Sequence, residues 1–120
     1  MAAHSITTIE PTITAIEAID IQLARIAKEV DRLGGVLIIT ADHGNAEELT
    51  DAEGNSKTAH TTNPVPFVIY DNTDNRDKYD FAKLEDAGLS NIAATIAKFL
   101  GLEDLPAEWR PSLIASIDEN

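Results

Sequence analysis

The stretch Gly34-Gly35-Val36-Leu37-Ile38-Ile39-Thr40-Ala41-Asp42-His43-Gly44 carries three signals in succession. Paired glycines are a helix stop, because glycine adopts the left-handed backbone that ends a helix at little steric cost. The apolar run Val36 to Ile39 reads as a strand covered on both faces, the pattern of a parallel sheet. Asp42-His43-Gly44 then falls at the carboxyl end of that strand, the edge at which open α/β sheets bind ligands. A carboxylate and an imidazole at that edge can share one divalent cation, with Gly44 allowing the sharp turn that brings them together. An isolated Asp-His pair is more commonly a turn-capping aspartate beside a surface histidine, so the dipeptide alone leaves both readings open.

Upstream, Ile9, Ile13, Ile16, Ile19, Leu23, Ile26, Val30 and Leu33 recur at steps of three or four, the period of one helix face. This predicts a long helix from about 10 to 33, with Pro11 tolerated in its first turn. Downstream, residues 41 to 63 are polar and small, with Asp51-Ala52-Glu53-Gly54-Asn55 as a turn, and form the functional loop candidate. Val65 to Tyr70 reads as a second strand, entered through Pro66, and a polar loop from 71 to about 80 follows. Ser90 is the expected N-cap of a second helix in which Ile92, Ile96, Phe99 and Leu100 share a face and Gly101 ends the run. The tail, with Pro106, Trp109 and Pro111, reads as extended packing in which Trp109 anchors on its own core. Helix followed by buried strand points to an α/β layer.

Composition bounds what such a layer can do. The 120 residues, 43% hydrophobic and 25% charged, suffice for one small domain. Nine Lys plus Arg against 21 Asp plus Glu leave a net charge of -12, which repels phosphodiester backbones and anionic lipid headgroups. Neither nucleic acid nor a membrane is an expected partner. Bound cations can still reverse the local sign for an anionic substrate, because a divalent ion is often the largest charge in its site. With no cysteine in the chain, any metal must be held by His, Asp or Glu, and a disulfide framework and a thiol nucleophile are excluded. The first residues have neither a basic start nor an apolar run, so the chain reads as unexported and cytoplasmic.

His60 stands 17 residues after His43, between threonine-rich stretches, and imidazole is the usual nitrogen ligand of borderline transition metals. The two strings Ile39-Thr40-Ala41-Asp42-His43-Gly44-Asn45-Ala46-Glu47 and Thr58-Ala59-His60-Thr61-Thr62-Asn63-Pro64-Val65-Pro66-Phe67 together closely resemble the cofactor-independent phosphoglycerate mutases. The resemblance runs from about His4 to Ile114 in the family's element order. Asp-His-Gly after a strand belongs to the wider alkaline phosphatase superfamily, and phosphopentomutases are the nearest confusable branch. They usually lack the Asn45-Ala46-Glu47 and Thr61-Thr62-Asn63-Pro64 context.

What the resemblance implies is an alkaline-phosphatase-like three-layer sandwich with a central, mostly parallel sheet. It further implies a glycolytic isomerase that interconverts 3-phosphoglycerate and 2-phosphoglycerate through a phosphoserine, with two Mn2+ ions. The family enzyme is monomeric. Carried over by motif, Asp42 and His43 would bind one manganese and His60 the other. His4 is a weaker match to the family's Asp-Met-x-Gly-His-Thr-Gly ligand stretch, because Ala3 replaces its glycine and Ile6 interrupts its ending. His4 is thus either a ligand or a terminal histidine. Thr40, Asn45, Glu47, Thr61 and Thr62 share the resemblance but carry no assigned role, since turn hydrogen bonds account for each.

The serines Ser5, Ser56, Ser90, Ser112 and Ser116 do not lie in the family's nucleophile context, and the arginines Arg25, Arg32, Arg76 and Arg110 are scattered. The expectation is therefore that residues 1–120 are the C-terminal portion of the metal-binding phosphatase domain, inactive in isolation and prone to self-association. A non-catalytic metal-binding α/β module is the alternative.

Overall fold

The structure, a computed structural model, describes residues 2–57 and 59–117, with side chains from residue 9 onward. The chain divides after Thr73 into two compact units, Met1–Thr73 and Asp74–Asn120.

In the first unit, α1 spans Ala2–Leu33 and β1 spans Val36–Thr40. The helix starts well before the predicted residue 10, so Pro11 lies inside it. Proline there donates no backbone bond, so the helix lacks one rung at this position. The C-terminal stop is as predicted. Gly34 takes φ +70, its N–H donates to Asp31 O at 3.1 Å, and Gly35 N–H donates to Val30 O at 2.9 Å. This is the Schellman arrangement that satisfies the last carbonyls of a helix.

The apolar face of α1 does not become a buried face among the described residues. Ile13, Ile16 and Ile19 are about half exposed, at 49, 51 and 57%. The periodicity specifies a helix and a face, but a partner for that face has to come from elsewhere in the fold. Near its end the helix is tied to the sheet by Tyr70, whose hydroxyl donates to Asp31 Oδ2 at 2.7 Å. The carboxylate that accepts this bond raises the phenol's pKa above its ordinary value.

β2 spans Phe67–Asp71, starting two residues later than predicted, and pairs antiparallel with β1 from Val36↔Asp71 to Thr40↔Phe67. The ladders among the described residues are antiparallel, and Val36 to Ile39 are half-buried, so the expected parallel neighbours of β1 are not among the strands described. An apolar run reports burial but does not name its neighbour or its direction. Here the pairing brings the end of β1 beside the start of β2, where Thr40 Oγ1 donates to Pro66 O at 2.8 Å. The polar segment 41–66 therefore leaves and returns at one edge.

In the second unit, β3 (Tyr79–Phe81) pairs antiparallel with β4 (Ile114–Ser116), and α2 spans Ile92–Phe99. Part of the predicted 71–80 loop is thus a 3-10 turn at Arg76–Lys78 leading into β3, and part of the tail is a strand. Asn91, not Ser90, is the N-cap of α2, after a 3-10 turn at Leu89–Asn91 that takes in Ser90. The buried residues of α2 are Ala94, Thr95 and Ala97, whereas Ile96 and Leu100 are 45 and 69% exposed.

Asn91 and Thr95 are fully buried, and both are spent on backbone. Asn91 Oδ1 accepts from Gly88 N–H and its Nδ2 donates to Pro111 O, each at 2.8 Å. Thr95 Oγ1 donates to Asn91 O and accepts from Leu113 N–H, each at 2.7 Å. Two small polar side chains thereby fasten α2 to the segment entering β4. Trp109 is 43% exposed rather than buried as an anchor, and with Ala94, Lys98 and Leu102 it lines an open cavity of about 500 Å³.

Candidate metal centre

The segment between β1 and β2 is an irregular hairpin built on a tight turn. Asp51 Oδ1 accepts from Glu53 N–H at 3.0 Å and from Asn55 N–H at 2.9 Å, and these bonds hold its carboxyl below its ordinary value. Around this turn Thr50 bridges Ser56, Lys57 N–H donates to Leu49 O at 2.7 Å, and Gly44 bridges Thr61. Thr61 N–H donates to Gly44 O at 2.9 Å. Folding about residues 51–55 therefore sets the residue before Gly44 beside the residue before Thr61.

Those residues are His43 and His60. Their rings stack with centroids 3.5 Å apart and planes 14° from parallel. Asp42 Oδ1 lies 3.5 Å from His43 Nε2. His43 Nδ1 lies 3.0 Å from Gly44 O, the same carbonyl that accepts from Thr61. A proton on Nδ1 donates to that carbonyl and leaves the Nε2 lone pair on the side of Asp42, the arrangement that second-shell bonds impose on ligand histidines.

The donor set suits a divalent cation at one point. Two ligands of one ion with bonds of about 2.1 Å can stand at most about 4.2 Å apart, and Asp42 Oδ1 and His43 Nε2 satisfy this. His60 does not complete that set. Ligand lone pairs of an imidazole lie in the ring plane, and in a near-parallel stack those of His60 lie in a separate plane from those of His43. Among the described residues no group of three or more His, Asp or Glu side chains is arranged to hold one ion. His4 falls in the first turns of α1, and its side chain lies outside the described residues, as does Thr58.

Sequence reasoning left one group of the hairpin without a role. Glu47 Oε1 accepts from Asn45 N–H at 2.8 Å, while Oε2 accepts from the Thr61 hydroxyl and from Asn63 Nδ2 at 3.0 Å. The bonds from Thr61 and Asn63 hold its carboxyl well below the ordinary value, at about 2. Glu48 carries a second rung, taking Lys57 Nζ and Asn63 Nδ2 at 2.5 Å each. Lys57 pulls the Glu48 carboxyl down and is itself pushed up. The turn at 51–55 folds Asn45-Ala46-Glu47 back towards Thr61-Thr62-Asn63, a pairing that the residue types alone do not specify.

The aspartate–histidine pair at the strand end and the histidine stacked on it are donor types that divalent metals take, and the class of protein comes from similarity. The profile of the Metalloenzyme superfamily matches residues 1–104, and the chain belongs to that superfamily. A 2,3-bisphosphoglycerate-independent phosphoglycerate mutase of Nostoc punctiforme (strain ATCC 29133 / PCC 73102) is 44% identical over 113 residues, covering 92% of this chain and 21% of its own length. The protein of the same description from Malacoplasma penetrans (strain HF-2) is 47% identical over 97 residues, covering 80% of this chain and 18% of its own. A crystal structure of Leishmania mexicana phosphoglycerate mutase at low cobalt concentration is similar with a TM-score of 0.78 and 37% identity, covering 89% of this chain and 22% of that one. The chain spans about a fifth of the length of these relatives. Among the described residues no helix is long and apolar enough to cross a membrane.

Proposed function

We propose that residues 1–120 act as the C-terminal, metal-binding part of the phosphatase domain of a 2,3-bisphosphoglycerate-independent phosphoglycerate mutase. On this reading the nucleophilic serine and the glycerate-binding domain belong to a longer protein. The small sheets described above then join a three-layer sandwich with a central, mostly parallel sheet, and the exposed isoleucines of α1 meet the rest of that domain. The parent works in the cytoplasm, in glycolysis, on a small phosphoglycerate.

The observation that carries the reading is the orientation of His43: Nδ1 on the Gly44 carbonyl, Nε2 beside Asp42. Asp42 and His43 would hold one Mn2+, and His60, stacked on His43, would hold a second with ligands from elsewhere. His4 is a candidate for that second set. Bound divalent cations neutralise charge on a transferring phosphoryl group and lower the pKa of an attacking hydroxyl. The chain's own residues position this charge: Gly44 O orients His43, and the Gly44–Thr61 bridge brings His60 alongside.

The chain alone should show no mutase turnover at any manganese concentration, because positioning without a nucleophile or a substrate domain supplies no reaction path. Replacing the matching stretch of the Nostoc punctiforme relative with residues 1–120 should give a manganese-dependent mutase, and His43→Ala in that chimera should abolish turnover. A folded chimera that is inactive, or one indifferent to His43→Ala, would contradict the proposal.

A further inference from the structure

We propose that Glu47 is a positioning residue whose carboxylate clamps the two sides of the 41–66 hairpin and thereby sets the His60 ring against His43. It deepens the metal-centre reading above and rests on it for what the two rings are held to do.

The clamp is visible in where the three donors come from. Asn45 N–H belongs to Glu47's own side of the hairpin, whereas the Thr61 hydroxyl and the Asn63 amide belong to the opposite side and follow His60 directly in sequence. Among the described residues one backbone bond, Thr61 N–H to Gly44 O, crosses the hairpin at this level. One contact at a bridge is a pivot, and side-chain contacts at Thr61 itself and two residues further on, at Asn63, restrict rotation about it. Glu47 and Glu48 supply those contacts through Thr61 and Asn63.

An ionised carboxylate suits this task because it is acceptor-only, with two oxygens able to take all three donors at once. A glutamine in its place would turn one oxygen into a donor facing other donors. Gly44 is the space that the clamp requires. It is buried, and a Cβ built there would run into Thr61 Oγ1 and the Glu47 carboxylate, coming within 3.1 Å of Glu47 Cδ. The residue that turns the chain after His43 is thus also the residue over which the clamp closes. The low pKa of Glu47 keeps the clamp charged across the neutral range.

The test is NMR of the imidazole Hδ2 and Hε1 resonances in the whole chain, where two rings stacked at 3.5 Å shift each other upfield. In Glu47→Gln these ring-current shifts should be lost at both His43 and His60, while the methyl resonances of β1 and β2 stay in place. Thr61→Ser, which keeps the hydroxyl, should retain the shifts, and Thr61→Val should lose them. Unchanged imidazole resonances in Glu47→Gln would overturn the proposal. If that variant also loses the β1–β2 methyl dispersion, the Thr61 pair decides: equal behaviour of Ser and Val overturns the clamp. Added Mn2+ separates the two readings. Wild type that keeps its upfield shifts but shows no broadening at His43 would remove the metal role and leave the clamp standing.

Discussion

At Gly44 a methyl group would have to displace either the Thr61 side chain or the Glu47 carboxylate, and both are already engaged with each other. Overpacking of this kind costs about 1–3 kcal/mol, so Gly44→Ala should lower the urea midpoint of the first unit accordingly without changing the slope. Glu47 supplies a second expectation at this scale. Its folded value of about 2 lies below the ordinary 4.5, so its contribution is fully present above the ordinary value and is lost as the pH falls through about 2. Glu48 and Asp51 are shifted in the same direction. The Glu47 side-chain carboxyl carbon, followed by NMR on acidification, should titrate with a midpoint near 2. A midpoint at the ordinary glutamate value would mean that the bonds to Thr61 and Asn63 are not formed in solution. Asp42, His43 and His60 were singled out in the sequence, and the fold brings their side chains together. Glu47 was not, because a carboxylate in a polar loop has many uses, and only the fold shows which donors it meets.

Elements were legible where a local signal decides them. The stop of α1 at Gly34-Gly35 and of α2 at Gly101 follow from backbone chemistry that a few residues carry by themselves, and the structure has Gly34 and Gly101 at positive φ. The start of α1 and the partner of β1 were not, since the first is a sum of weak propensities and the second depends on a strand far along the chain. The face of α2 was misread for a related reason. Its isoleucines mark an apolar stripe, yet the side chains that fasten the helix are Asn91 and Thr95, which look like surface residues until their backbone partners are known. Asn91→Ala would remove both bonds, to Gly88 N–H and Pro111 O, and two hydrogen bonds of a buried side chain contribute about 0.5–1.5 kcal/mol each. The loss should appear in hydrogen exchange as faster opening of α2 and of Leu113, with the β1–β2 amides unaffected. Protection of α2 equal to wild type would show that this fastening does not govern the stability of the unit.

At the scale of the whole molecule two opposing features stand out. Ile13, Ile16, Ile19 and Ile26 are each about half exposed along α1, while the net charge is -12. Exposed apolar faces favour association, and uniform negative charge opposes it until salt screens it. Sedimentation at low and high salt should therefore show association that grows with salt, and a salt-independent monomer would contradict this. The same charge also sets the control for the metal centre, because an acidic surface attracts any divalent cation without fixing it. A site formed by Asp42 and His43 must stand out above that background. The direct test is titration of the whole chain with Mn2+, followed by NMR line broadening residue by residue. Broadening should centre on residues 42 to 44, with a lesser effect at His60, at concentrations that leave the carboxylates of α1 and of the second unit sharp. Broadening spread evenly over the acidic surface, with His43 no more affected than Glu17 or Asp86, would contradict a site formed by Asp42 and His43.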